Sequence, residues 1–125
     1  MKILVCGGRN FKDKDLVYRT LDDLVPYGDP CQYGNSLPKN VTIIHGGAEG
    51  ADSLADEWAV VNWCSILEYP ADWKKYGKAA GPIRNTQMLI HSKPDLVLAF
   101  PGGAGTANMV KLAEAAGVEV KKVGW

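Results

Sequence analysis

Three stretches of this 125-residue chain join glycines to residues with polar or charged side chains: CGGRNF from Cys6, HGGAEGAD from His45 and PGGAGTAN from Pro101. Each follows a short apolar run and precedes a segment of helical period. Where side chains are absent from such a turn, successive backbone N–H groups can face outward at a helix start, and the helix dipole adds partial positive charge. The chemistry on offer is the gripping of an anion, phosphate above all, by peptide amides. Gly7 and Gly8, Gly46 and Gly47, and Gly102, Gly103 and Gly105 are the candidates, with Pro101 and Thr106 completing the third turn. Arg9 directly follows the first glycine pair. Arg84, in RNTQM, brings a planar fork of donors that matches a phosphate.

Acids and amides accompany these turns, and each carries two readings. Asp52 is either the cap of its helix or a ribose contact. Glu49 is either a solvated loop acid or a catalytic one. Asp72, beside Trp73, is a turn former with a packed indole or a contact to the base or ribose of a nucleotide. Asn85 and Asn108 suit a base or hydroxyl edge, while Asn108 equally suits the start of a helix. His45 ends an apolar strand and reads as a hydrogen-bonded core histidine. His91 reads as an end-of-helix residue favoured by the dipole. Cys6 adjoins the first turn without a histidine placed near it by sequence, so an inert buried thiol is expected. None of the turns is a Walker loop, which needs Lys followed by Ser or Thr, and CGGRNF lacks the GxGxxG spacing of dinucleotide sites.

Composition narrows the partners. Lys and Arg number 14 and so do Asp and Glu, which gives no basic excess for an extended nucleic acid. Three cysteines without a CxxC pair suggest neither a disulfide framework nor a zinc site, and point to a reducing, cytoplasmic setting. The opening apolar run is too short for a signal peptide or a membrane span. No metal cluster is readable and no cofactor is required, although magnesium carried by a ligand's phosphates would leave little trace in the sequence.

The elements that must position these residues alternate regularly. KILVC at Lys2–Cys6, VTIIH at Val41–His45, SILEYP at Ser65–Pro70, DLVLAF at Asp95–Phe100 and VEVKKV at Val118–Val123 read as strands. Between them lie helical periods: one capped by Asp13 with Leu16, Leu21, Leu24 and Val25 inward, and one with Leu54, Trp58 and Val61 on a shared face. A third runs from about Tyr76 to Ile90 with a kink or late start at Gly81 and Pro82, and a fourth from Thr106 to a stop at Gly117. Residues 26–40 carry three prolines and no period, so they form a loop insertion, in which Tyr27 and Tyr33 could cover a ligand but a solvated segment is the simpler reading. Trp58 and Trp63 suit core or subunit interface, and Trp125 closes the chain. The whole of residues 1–125 is expected to be one Rossmann-like α/β domain, a parallel five-stranded sheet with helices on both faces. Its βα turns then share the carboxyl edge where such sheets bind ligands.

On these residues the chain resembles the SLOG superfamily. PGGAGTANM at Pro101–Met109 is similar to its PGGxGT signature, and CGGRNF, HGGAEGADSLADEWA and YPADWKKYGKAAGPIRNTQML resemble the YspA/YpsA-related branch of small bacterial and phage proteins. The resemblance implies a nucleotide-derived ligand at the PGGxGT turn, bound for sensing or sequestration, and a homodimer. In the Lonely-guy phosphoribohydrolases of this superfamily the pattern ends in a glutamate that acts with an arginine. Met109 stands at that position, and a thioether cannot stabilise the positive charge that builds on a ribosyl group. Arg84 matches the arginine. Binding without catalysis is therefore expected, with N-glycosidic hydrolysis through Asp52, Asp72 or Glu49 as the alternative.

Overall fold

Alternation along the first strand decides the layers. The computed structural model describes residues 1–26 and 37–125. In β1 (Lys2–Cys6), Ile3 and Val5 face one side of the sheet, and Leu4 and Cys6 face the other. The first pair packs with Val17 and Leu21 of α1 (Lys14–Leu24) and with Ala51, Ala55 and Trp58 of α2 (Ala51–Val61). The second packs with Met88 and Leu89 of α4 (Ala80–Ser92) and with Met109, Val110 and Ala113 of α5 (Ala104–Ala115). Between these helices run β2 (Thr42–His45), β3 (Ser65–Glu68), β4 (Leu96–Ala99) and β5 (Glu119–Lys122), with a short α3 (Trp73–Tyr76) ahead of α4. A sheet covered on both faces needs apolar residues at every position of its central strands, and β4 is buried throughout.

All four strand pairings are parallel, in the order β3-β2-β1-β4-β5. The chain steps outward from β1 through β2 to β3, then crosses back to place β4 on the other side of β1. That reversal leaves a crevice at the carboxyl ends of β1 and β4, where parallel sheets of this kind take ligands. The edge strands β3 and β5 are largely exposed.

Local signals account for most element ends. Asp13 caps α1, its Oδ1 accepting the Leu16 N–H at 3.1 Å. Gly117, at φ +75°, ends α5, and the Val118 N–H closes on the Ala113 carbonyl at 2.9 Å. The late start near Pro82 is also present: α3 is followed by a 3-10 turn at Gly77–Ala79, and α4 begins at Ala80, so Pro82 sits in the first turn where its missing N–H costs nothing. Lys39 donates to the Pro26 carbonyl at 2.7 Å, which draws the flanks of the insertion together. Tyr27 and Tyr33 lie outside the described residues.

Two expectations are corrected. Val61 does not share the inner face of α2; it is exposed, and Ala51, Ala55, Trp58 and Ala59 form the buried stripe. The small alanines let α2 approach the sheet closely, and the Trp58 indole fills the space they leave, its Nε1 donating to Asp22 at 2.9 Å. Trp63 is not core but 85% exposed, in a left-handed conformation at the α2 to β3 turn. Trp125, by contrast, docks, donating from Nε1 to the Ala99 carbonyl at 3.1 Å.

Candidate functional site at the carboxyl edge of the sheet

The three glycine turns converge on the crevice between β1 and β4, yet they treat their amides differently. In the β2 to α2 turn the N–H groups are taken up by the protein itself. Asp52 Oδ2 accepts from Gly46 N at 3.0 Å and from Ala48 N at 3.3 Å, and His45 Nδ1 accepts from Gly47 N at 2.9 Å. The expectation that Gly46 and Gly47 offer amides to an anion is therefore corrected. Asp52 does not cap its own helix either, since the α2 cap position is Gly50 and has no side-chain bond. Because a backbone N–H can only donate, His45 Nδ1 carries no proton and its Nε2 faces Asp56 at 2.8 Å. His45 is buried, as a core histidine should be.

In the β1 to α1 turn Gly8 N is likewise committed, donating to the Pro101 carbonyl at 2.8 Å and tying the first turn to the third. The third turn differs. Helix α5 starts at Ala104, two residues earlier than the sequence suggests, so Gly103 is its cap and Gly105 lies in its first turn. No side chain caps it, and among the described residues the Ala104 and Gly105 N–H groups meet no acceptor. A Cβ on Gly103 or Gly105 would meet no described atom within 4 Å.

These amides border a cavity of about 280 Å³ whose lining includes Gly7, Gly8, Arg9, Asp52, Arg84 and Asn85, with Gly103, Gly105 and Thr106 from the third turn. Val5, Cys6 and Met88 form its apolar floor. Arg84 is half-buried and held on one edge: Nη1 donates to the Gly46 carbonyl at 2.7 Å and Nε to Asn85 Oδ1 at 3.0 Å. Among the described residues Nη2 has no hydrogen-bond partner. Burial pulls the guanidinium down from its ordinary value, and the Asp52 carboxylate opposes that. Burial raises the Asp52 carboxyl, and the Ala48 N–H, the His45 ring, the Gly46 N–H and Arg84 oppose it in that order. Arg9 is exposed and makes no ion pair among the described residues. The Cys6 thiol is pushed up to about 12, first by burial and then by Asp52, which leaves it protonated and inert.

A second lobe of about 330 Å³ adjoins the first and shares Arg9, Ala48 and Arg84 with it; Gly46, Gly47, Glu49, Pro70, Ala71 and Trp73 complete its lining. Pro101 and Gly102 instead line an open groove with Asn10 and Phe11.

Other expected contacts resolve into supports. Asp72 caps α3, its Oδ1 accepting the Lys75 N–H at 3.1 Å, and lines neither lobe. Asn85 is buried and committed on both sides, donating to Asn108 Oδ1 at 2.9 Å and to the Gly105 carbonyl at 3.2 Å while accepting from Arg84. It positions the arginine against the first turn of α5. Asn108 serves that network and does not line the cavity. Met109 is fully buried in the apolar cluster under α5. Sequence reasoning missed Met88 as cavity floor, although its i+4 spacing from Arg84 was the signal available. Among the described residues no group of three or more His, Cys, Asp or Glu could hold a metal ion, and no helix is long and apolar enough to cross a membrane.

A parallel sheet in the order 3-2-1-4-5, with a polar cavity at its reversal point, defines a Rossmann-like α/β protein. The chain belongs to the YspA, cpYpsA-related SLOG family, which matches residues 1–76. It is 35% identical over 133 aligned positions to the Gene 61 protein of Mycobacterium phage D29, covering 98% of this chain and 96% of that one. Its fold is similar to that of DNA processing protein A (DprA) from Streptococcus pneumoniae, with a TM-score of 0.69 at 17% identity over 97% of this chain. The chain spans 49% of the DprA chain.

Proposed function

We propose that the protein binds a nucleotide, or a small molecule derived from one, through a phosphate seated on the first turn of α5, as a sensor or sequestering protein. The observation that carries this reading is the pair of glycines at 103 and 105. Neither has a positive φ, and neither is crowded by its neighbours. Glycine in a first turn costs helix stability of roughly 0.5–1 kcal/mol relative to alanine. Gly103 is favoured as the helix cap in its own right, so it is at Gly105 that close approach of a ligand to the backbone accounts for the glycine. Arg84, fixed by the Asn85 side-chain oxygen and the Gly46 and Tyr69 carbonyls with Nη2 uncommitted among the described residues, supplies the balancing charge, and Arg9 a second cation at the mouth. Any magnesium arrives with the ligand's phosphates. The same reading takes the working form as a cytoplasmic homodimer, which light scattering checks.

Calorimetric titration with adenosine 5′-monophosphate tests it. Binding is expected, and Arg84→Ala is expected to weaken it tenfold or more. Undiminished binding by the variant sinks the reading. A second reading, hydrolysis of the N-glycosidic bond in which water adds to the ribose C1′ as the leaving base takes a proton from Asp52, draws on the burial that raises this carboxyl's proton affinity beside the cavity. It predicts free base released over time and lost in Asp52→Asn.

A further inference from the structure

The two lobes that meet at Arg9, Ala48 and Arg84 differ in the backbone amides they leave open. The deep lobe carries open amides. In the lobe beside it the Gly46 and Ala48 amides are already spent on Asp52, and that of Gly47 on His45, so it offers peptide faces in place of N–H donors. Pro70 and Ala71 add apolar surface, and Trp73 adds an indole that is 54% exposed. That indole rests beside the start of α4. Its Cη2 lies 3.5 Å from where a Cβ on Gly81 would stand, and Gly81 is one turn before Arg84 on α4. The ring, carried on α3, therefore packs against the first turn of α4, which carries the guanidinium, and both line the second lobe. Glu49 is an exposed carboxylate on the turn of the second lobe, and an ionised carboxylate accepts hydrogen bonds without donating any.

We propose that the second lobe receives the base of the bound nucleotide, stacked on Trp73, and that Glu49 selects bases carrying an exocyclic amine. The proposal rests on the phosphate reading above and adds the part of the ligand that reading leaves open. A spent-amide wall repels nothing flat and uncharged, an exposed indole gives it a π surface, and the shared rim at Arg84 and Ala48 lets one molecule reach both lobes. Adenine offers an amine where hypoxanthine offers a carbonyl oxygen, which an acceptor-only carboxylate disfavours.

Titration of the full chain with ribose 5-phosphate, adenosine 5′-monophosphate and inosine 5′-monophosphate separates the parts. Stacking of a base on an aromatic side chain is worth about tenfold in affinity or more. The adenosine compound is expected to bind at least about tenfold tighter than the sugar phosphate. Trp73→Ala is expected to erase that difference while leaving ribose 5-phosphate binding unchanged. Adenosine monophosphate is expected to quench tryptophan emission in the native chain and in Trp63→Phe, since Trp63 lies at the opposite edge of the sheet, and not in Trp73→Phe. The preference for adenosine over inosine monophosphate is expected to vanish in Glu49→Gln. Equal affinity of the native chain for the sugar phosphate and the nucleotides overturns this proposal and leaves the phosphate reading standing. Equal weakening of all three ligands by Trp73→Ala overturns it too. Binding of none of them overturns both.

Discussion

The β2 to α2 turn and the β4 to α5 turn share a glycine-rich sequence and differ in what fills them. In the first, the space beside Gly46 holds the Arg84 guanidinium, and Gly50 adopts φ +80° with the Gly8 carbonyl where a Cβ would stand. Its amides end on Asp52 and His45. In the second, the first-turn amides and the space beside Gly103 and Gly105 stay open. Glycine therefore has two meanings here. The first turn is glycine-rich because the protein packs into it; in the second only Gly102 is closed off, by Thr106 and Gly8, while Gly103 and Gly105 face open space. The filled turn acts as the buttress: through Asp52 and the Gly46 carbonyl it fixes Arg84 beside the open one.

The largest effect tests the floor beneath the open turn. Met109→Glu would place a carboxylate at a fully buried position among Leu4, Ile44 and Val97. A loss of stability on the order of 4 kcal/mol is expected by denaturant unfolding, without any gain of base release. Gly50→Ala strikes the filled turn. Its backbone conformation suits glycine alone and a carbonyl blocks the new methyl, so a loss of about 3 kcal/mol is expected. A loss below about 0.5 kcal/mol, within the range of ordinary surface changes, removes the distinction between the turns.

Asp52 gives the buttress a pH signature. Burial raises its carboxyl above 3.8, so the folded chain keeps this proton after the unfolded chain has released it. In that window the folded state binds more protons, and stability falls as pH rises. The contribution of this group is thus fully present below 3.8 and lost as pH climbs through the raised value. The native chain minus Asp52→Asn, compared by unfolding free energy against pH, should show that downward slope. An upward slope means that the two amide bonds and Arg84 outweigh burial.

Gly105→Ala has the smallest effect on folding and the sharpest on the comparison. A methyl group in open space at the first turn of α5 is expected to stabilise the fold by about 0.5–1 kcal/mol. It is also expected to weaken nucleotide binding tenfold or more, because it occupies the surface on which the phosphate sits. A variant that is both more stable and equally competent to bind would show that the open turn faces no ligand.

Much of the fold was legible because its signals are local. Apolar runs stopped by glycine marked the strands of the central sheet, Asp13 and Gly117 marked helix ends, and Gly81–Pro82 marked the delayed start of α4. The inner face of α2 was not legible from bulk alone, because close helix-to-sheet approach selected alanines and turned Val61 outward. At the site, Arg84, the third glycine turn and Trp73 were visible as residue types. Asp72 and Asn85 were visible too, but as ligand contacts, whereas one caps α3 and the other braces Arg84.

The sequence alone determined the alternation of strands and helices, the place of the three βα turns on one edge, and a thioether in place of any acid at position 109. These depend on period, chain direction and residue type, all of which are properties of short segments. Only the tertiary structure decided which turn is filled and which is open. That outcome rests on partners such as Gly46 and Arg84, 38 residues apart, and Asn85 and Asn108, 23 apart, brought together by the crossing of the chain from β3 back to β4. An amide's availability depends on every acceptor that the fold brings near it, and no local pattern carries that information.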